Sequence, residues 1–388
     1  MPFSPGNKNR FPDAYKKKIL NLSGLLSYAE TIATQFQNVK LLSRIHGFRG
    51  RIFEKLQNFS DAIHETNQAI FFADLANAPE ILYLWQWQLG RIYSKEGDFN
   101  KSISLYKTSI QTLNPIRKQL FQGIRIHRRI FETKIKPVYL ELTGLILNQA
   151  KQATHDQDRR QKLINARNIM EQLKTAEIQD YFQDECLTQN RNGFKQRQVS
   201  EVPPKTAVIY PVPMKDHLSI ILEMPDNISQ ISVPISSKML EQTVRRFRNQ
   251  LEDWDLVFEW LEESDDLDES FENSQLLKDS REIYQWLIQP IEKILRSGGI
   301  ETLVIVPDGS LRLIPFSALN NGQDFLIKNF AVVTSPAIQL TDTQKLNKSN
   351  NNVLLNGLSS ARHGFIALPG VSKELDAIKH IVQNAKNL

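Results

Sequence analysis

The strongest constraint on the fold of this chain is a stretch of sequence that repeats itself. Gly50-Arg51-Ile52-Phe53 and Gly90-Arg91-Ile92-Tyr93 match at an offset of forty residues. The match continues through Lys55 and Lys95, Asn58 and Asp98, Phe59 and Phe99, Ala62 and Ser102, Ile63 and Ile103, Ala69 and Ser109, and Ile70 and Ile110. Small and large residues that recur at fixed places mark helix-turn-helix units, whose helices approach closely at the small positions and fill space at the large ones. Such units cannot bury their apolar faces alone, so the first part of the chain should be a stacked array of helices.

The second unit, LWQWQLGRIYSKEGDFNKSISLYKTSIQTLNP, resembles the tetratricopeptide pattern. Leu89-Gly90 and Tyr93 fall in its first helix, Gly97-Asp98-Phe99 in its turn, and Ser102, Tyr106 and Ser109 in its second helix, with Pro115 closing it. Serine replaces the usual alanine at two of these places. The forty-residue period is longer than the standard one, which implies longer helices or loops, with Ala76 to Pro79 as an inserted segment. A further helix or helix pair is expected over 13–36, and Ile116 to Gln149 should extend the array, with Pro137 starting or kinking a helix. Two helices are expected over 158–175 and 177–189. Trp85 and Trp87 follow the helical spacing and are read as packing residues rather than as a ligand cage. Stacked helix pairs form an extended surface that suits a protein or peptide partner.

The pattern changes at Arg191. NRNGFKQRQVSEVPPK is polar, with Gly193, Pro203 and Pro204, and reads as a linker. Thr206–Val212, Leu218–Glu223 and Ile228–Ile235 are rich in β-branched residues and predict a three-stranded antiparallel meander. Helices are expected from Ser237 to Leu261 and from Ser280 to Arg296. Glu301–Val306 is a continuous apolar run, as in a parallel strand covered on both faces. Phe330–Thr334 and Val353–Leu358 predict two more strands, and Gly370 to Asn384 an amphipathic helix. Pro307-Asp308-Gly309 is a turn sequence, so Asp308 is not expected to be a catalytic acid.

LVIVPDGSLRLIPFSAL and RHGFIALPGVSKEL, together with LYLWQWQLGRIY, IKPVYLEL, DYFQDECL, TAVIYPVPMKDHLSIIL and YQWLIQPIEKIL, resemble segments of the CHAT family, in family order. The resemblance implies an α + α/β architecture. It consists of an N-terminal tetratricopeptide-like helical solenoid over 1–150, connecting helices and a linker over 151–205, and the N-terminal part of a caspase-like α/β domain over 206–388. It also implies a likeness to cysteine peptidases, in which a thiolate attacks a peptide carbonyl beside an activating imidazole. In the family the His-Gly pair and then the Cys follow two later strands, so the resemblance implies a truncated domain with an open sheet edge that invites association.

No catalytic residue is therefore assigned. The only cysteine is Cys186, in a segment that the resemblance marks as packing, and His363-Gly364 matches a connecting loop with no cysteine after it. A Cys186–His363 dyad would reverse the family order, and His46-Gly47 lies within the repeats. No Gly-x-Ser-x-Gly elbow, phosphate loop, dinucleotide fingerprint or zinc spacing occurs, so no cofactor and no metal are expected. The acidic run Glu262 to Glu272 lacks the spaced ligands of a calcium loop and reads as a solvated segment.

Charge divides unevenly: 31 Lys+Arg against 19 Asp+Glu in residues 1–205, and 17 against 24 in residues 206–388. Such a split suggests modules with different partners, or modules that attract each other. Nucleic acid is not the expected partner, because the basic half lacks a known binding motif. One cysteine and no apolar run long enough to span a bilayer lead to the expectation of a cytoplasmic protein, with no membrane partner. Two alternatives stay open: half of a split peptidase completed by another chain, and an adaptor with a nucleic-acid-contacting face.

Overall fold

The computed structural model describes residues 13–117, 130–182, 202–252, 274–340, 353–362, 367–381 and 385–387. A run of helices comes first: α1 (Asp13–Gln35), α2 (Val39–Lys55), α3 (Phe59–Leu75), α4 (Pro79–Glu96) and α5 (Phe99–Ile116). Their turns share one geometry. Gln37, Gln57, Asn77 and Gly97 all have positive φ and stand twenty residues apart. The next residue caps the following helix. The side chains of Asn38, Asn58 and Asp98 accept from the backbone amides of Leu41, Asp61 and Lys101, filling donors that a helix start leaves open. At the third turn Ala78 supplies no such cap, and Pro79 at the first helical position has no amide to satisfy. The forty-residue period thus comes from long helices. Ala76 to Ala78 is an ordinary turn of the array, not an insertion.

The repeated glycines sit where helices cross. A Cβ on Gly90 would stand 2.9 Å from the Tyr106 ring, and one on Gly50 would collide with Thr66 Oγ1 and come within 2.9 Å of Gln88 Nε2. Thr66 and Tyr106 are themselves one period apart. The two serines in alanine positions use their hydroxyls: Ser102 donates to Gly90 O and Ser109 to Tyr83 O, each at 2.8 Å. Trp85 is buried, with its indole N–H donating to Ser43 Oγ at 3.0 Å.

A five-residue π-helical turn, Phe131–Ile135, leads into α6 (Lys136–Gln152), with Pro137 at its start. α7 (Asp156–Phe182) is one continuous helix where two were expected, because Ala176 is a buried packing residue in mid-helix; residues 183–189 of the second expected helix lie outside the described residues.

Next come β1 (Thr206–Pro213), β2 (Leu218–Glu223) and β3 (Ile228–Val233), then α8 (Ser237–Leu251), α9 (Gln275–Leu287), α10 (Gln289–Ser297), β4 (Thr302–Ile305) and β5 (Ala331–Thr334). The expected helix from Ser280 to Arg296 is two, broken at Ile288, where Pro290 opens the second. The strands form one mixed sheet in the order β3-β2-β1-β4-β5. The meander is antiparallel as expected, and β4 joins parallel to both β1 and β5.

Period-two alternation sends side chains to two separate cores. Ala207, Ile209, Leu218, Ile220, Leu222, Leu303 and Ile305 pack with α8, α9 and α10. Val208, Tyr210, Val212, Ile221 and Val306 pack with α6 and α7, the last described helices of the array. The sheet is covered on both faces, and one cover is the array itself.

Two compact units divide the chain, residues 1–340 and 341–388. In the second, β6 (Val353–Leu355) pairs parallel with β7 (Ala385–Asn387), and α11 (Gly370–Ile381) lies between them in sequence. β7 was not anticipated. Gly357 has Val371 and Leu375 where a side chain would begin. No helix among the described residues is long and apolar enough to cross a membrane.

Candidate functional site

The carboxyl ends of parallel strands are where α/β sheets usually place their chemistry. Here that place holds a buried ionic cluster. Asp308, in the turn after β4, is only 2% exposed. Its Oδ1 accepts from Lys174 Nζ at 2.5 Å, and its Oδ2 lies 3.0 Å from Lys136 Nζ. Lys174 Nζ also donates to Pro307 O at 2.8 Å. Arg312 stands 3.5 Å from Asp308 and forms a two-pronged pair with Glu177. The ammonium groups of Lys174 and Lys136 outweigh the cost of burial for the Asp308 carboxyl and hold it far below the usual carboxylate range. For Lys174 burial dominates and, with Arg312 adding to it against the pull of Asp308, brings its pKa down to about 8.

Lys174 belongs to a longer stripe. Arg167, Glu171, Lys174 and Glu177 recur every third or fourth residue of α7, among the apolar Leu163, Ala166, Met170 and Leu173. Each meets a partner from outside the helix. Arg167 Nε lies 3.4 Å from Glu223 Oε2, at the end of β2. The Glu171 carboxylate accepts from the backbone amides of Ile338 and Gln339, at 3.1 and 3.0 Å, at the start of the single turn after β5. Burial raises the Glu223 pKa to about 7; Arg167 opposes this and Glu171 adds to it. Burial, with Glu171 and Glu223, also pushes the Tyr210 hydroxyl well above its ordinary value. Asp308, Lys136, Lys174, Arg167, Glu171 and Glu223 are all buried against a partner, with Arg312 and Glu177 at the rim, so the cluster can fasten the array to the sheet.

A second region is accessible. α2, α4 and α6 lie side by side in the array, linked by polar side chains. Glu54 of α2 accepts from Arg91 Nε and Nη2 of α4, both at 3.3 Å, and from Lys95 at 2.9 Å. Arg91 stacks over the half-buried Trp87 at 4.7 Å. The Trp87 indole and the Tyr106 hydroxyl both donate to Glu141 of α6, at 2.8 and 2.6 Å. Arg51 donates to Gln88 at 3.4 Å and stands 5.7 Å from the exposed Phe48 ring. Burial, with Arg91 close by, lowers the Arg51 pKa; Glu54 opposes this.

Residues 277–387, from α9 through β7, match the family model of the CHAT domain. The match spans 111 of the 388 residues and supports a CHAT domain over that stretch. No curated protein matches the chain. The CHAT match supports membership in a caspase-like family and begins within α9, after the meander. Within it Asp308 is a turn residue, as expected, but also the anchor of the ionic cluster, which the turn reading missed. Cys186, His363 and the run Glu262 to Glu272 lie outside the described residues. His46 is in α2, with Nδ1 2.7 Å from Glu65 and its ring stacked on Phe72. The described residues contain no cluster of three metal-ligating side chains.

A sequence signal for the missed cluster existed: three charges, Arg167, Glu171 and Lys174, at helical spacing on an otherwise apolar face. Their partners come from β2, the turn after β4 and the segment after β5. No local pattern joins those.

Proposed function

We propose that this chain binds a protein or peptide partner on the α2–α4–α6 face of a tetratricopeptide-like array, with the mixed sheet as a fixed mount. We further propose that residues 1–388 carry no peptidase chemistry of their own. The observation that carries the first part is the recurrence, one period apart, of Arg51 and Arg91 and of Lys55 and Lys95 on adjacent helices of an accessible face. For the second part, the only cysteine precedes the whole sheet in sequence. Saturated ion pairs fill the carboxyl end of β4. A single cysteine suits the reducing cytoplasm.

Selection from a random peptide library on the full chain tests the binding reading. Enriched peptides that lose affinity for a chain altered at Trp87 or Arg91 are expected; a library that yields no binders contradicts it. Incubation with peptide substrates and a thiol-reactive probe tests the second part. Cleavage that disappears in Cys186→Ala would overturn it.

A second reading has its own support. β5 is an edge of the five-stranded sheet and exposes Val333. An edge strand can accept a strand from another polypeptide, and that polypeptide could bring the histidine and cysteine of a split peptidase. Protection of the β5 amides from hydrogen exchange by an added polypeptide that carries a His-Gly strand and a Cys strand, with thiol-dependent cleavage by the mixture, is the expected sign. Unchanged exchange and no cleavage remove this reading.

A further inference from the structure

The accessible face of the array has more positive charge than it neutralises. Arg91 and Lys95 share the one carboxylate of Glu54. Arg51 is half-buried beside them, and among the described residues its one hydrogen bond is the long one to the neutral Gln88. Glu54, already shared by Arg91 and Lys95, only partly offsets the burial of Arg51, so this half-buried guanidinium gains from a further anion. Glu54 shows that a carboxylate fits between these cations. Next to Arg51 the Phe48 ring is 45% exposed and meets the edge of Trp85 at 6.0 Å. A cationic fork thus adjoins an apolar step.

We infer that this face takes an acidic segment of a partner protein, with a carboxylate on Arg51 and a neighbouring apolar side chain on Phe48. The inference rests on the binding reading above and names the partner's chemistry. Arginine suits it, because the planar fork grips a carboxylate with two parallel bonds. A nucleic acid fits less well. The Glu54 carboxylate occupies the centre of the cluster, Glu141 flanks it, and the cations form a short cleft rather than a stripe that could follow a phosphate backbone.

The test uses the full chain with a fluorescein-labelled hexapeptide, Glu-Glu-Leu-Glu-Glu-Phe, and with labelled decathymidylate. Saturable binding of the hexapeptide that weakens with salt is expected, at least tenfold weaker in Arg51→Glu and several-fold weaker in Arg51→Gln. The unfolding curve of Arg51→Gln, which keeps a donor beside Gln88 and puts no negative charge beside Glu54, should match wild type. Equal hexapeptide affinity in wild type and Arg51→Glu overturns the inference. So does decathymidylate that binds more tightly than the hexapeptide and depends on Arg51. The library selection separates the two levels. Neutral or basic binders indifferent to Arg51 would leave the binding face standing and remove its acidic partner, whereas acidic binders lost in Arg51→Glu support both.

Discussion

The two faces of the five-stranded sheet are covered in different ways. Toward α8, α9 and α10 the contact is made by apolar side chains such as Leu240, Val244, Phe247, Ile283 and Ile291. Toward α6 and α7 a comparable apolar core is threaded by buried ions: Lys136, Arg167, Glu171 and Lys174 against Asp308, Glu223 and two backbone amides. An apolar contact tolerates sliding, because one packed arrangement differs little in chemistry from the next. The three matched charges along α7, with Lys136 on α6, do not, since a shift by one turn would leave several of them buried and unpaired. Buried ion pairs add little net stability over an apolar contact but impose a large penalty on misplacement. The ionic face therefore fixes where the array sits on the sheet, and the apolar face holds the domain together.

Truncation on each face should be costly and should differ in its response to acid. Phe247→Ala, on the apolar face, is expected to lose about 3–5 kcal/mol with the shape of the stability-versus-pH curve unchanged. Asp308→Ala should lose a similar amount, about 3–5 kcal/mol, because it strands two buried ammonium groups. The Asp308 carboxyl is depressed in the fold, so its contribution is present above the ordinary carboxylate pKa and lost as the pH falls through the acid range. The variant should lack that acid-side loss. Urea titrations from pH 3 to pH 7 check both variants.

Replacing the cluster with apolar side chains, as Asp308→Leu with Lys136→Met and Lys174→Met, sharpens the contrast. Stability within about 2 kcal/mol of wild type is expected, since nothing is left buried and unpaired. A loss as large as that of Asp308→Ala would mean that the ions contribute net stability.

The pH response of Glu223 is smaller. Its pKa is raised to about 7 in the fold. Between the ordinary carboxylate value and about 7 the folded state holds a proton that the unfolded state has released. The contribution is present below that window and is lost as the pH rises through it. Stability should therefore decline from pH 5 to pH 7, and Glu223→Gln should flatten the decline. The smallest effect is in the array, away from both faces. Ser109→Ala removes one buried hydrogen bond to Tyr83 O and should cost about 1 kcal/mol, read as a shift in the urea midpoint.

Sequence made the array legible because its signals are local and repeated. Gly50 and Gly90 announced the helix crossings, and Asn58 and Asp98 the recurrence of the turns. The strands were legible for the same reason, and Leu218–Glu223 was placed to the residue. Three misreadings have physical causes. The period was assigned in part to an insertion, because the turn at Ala76 to Ala78 lacks the side-chain cap of its neighbours. α7 was divided, since its charged stripe obscures its apolar face. Asp308 was taken as a turn residue only, because its two lysines lie on helices far upstream, beyond the reach of any pattern within the strand-turn segment.

The direct test of the claim that buried ions fasten the array to the sheet is native-state hydrogen exchange on the wild-type chain and on Asp308→Asn. Amides of α6, α7, β1 and β4 should open together in the wild type, and the substitution should lower the protection of all four by the same factor. Loss of protection confined to the turn around Asp308, with α7 and β1 unchanged, would contradict it.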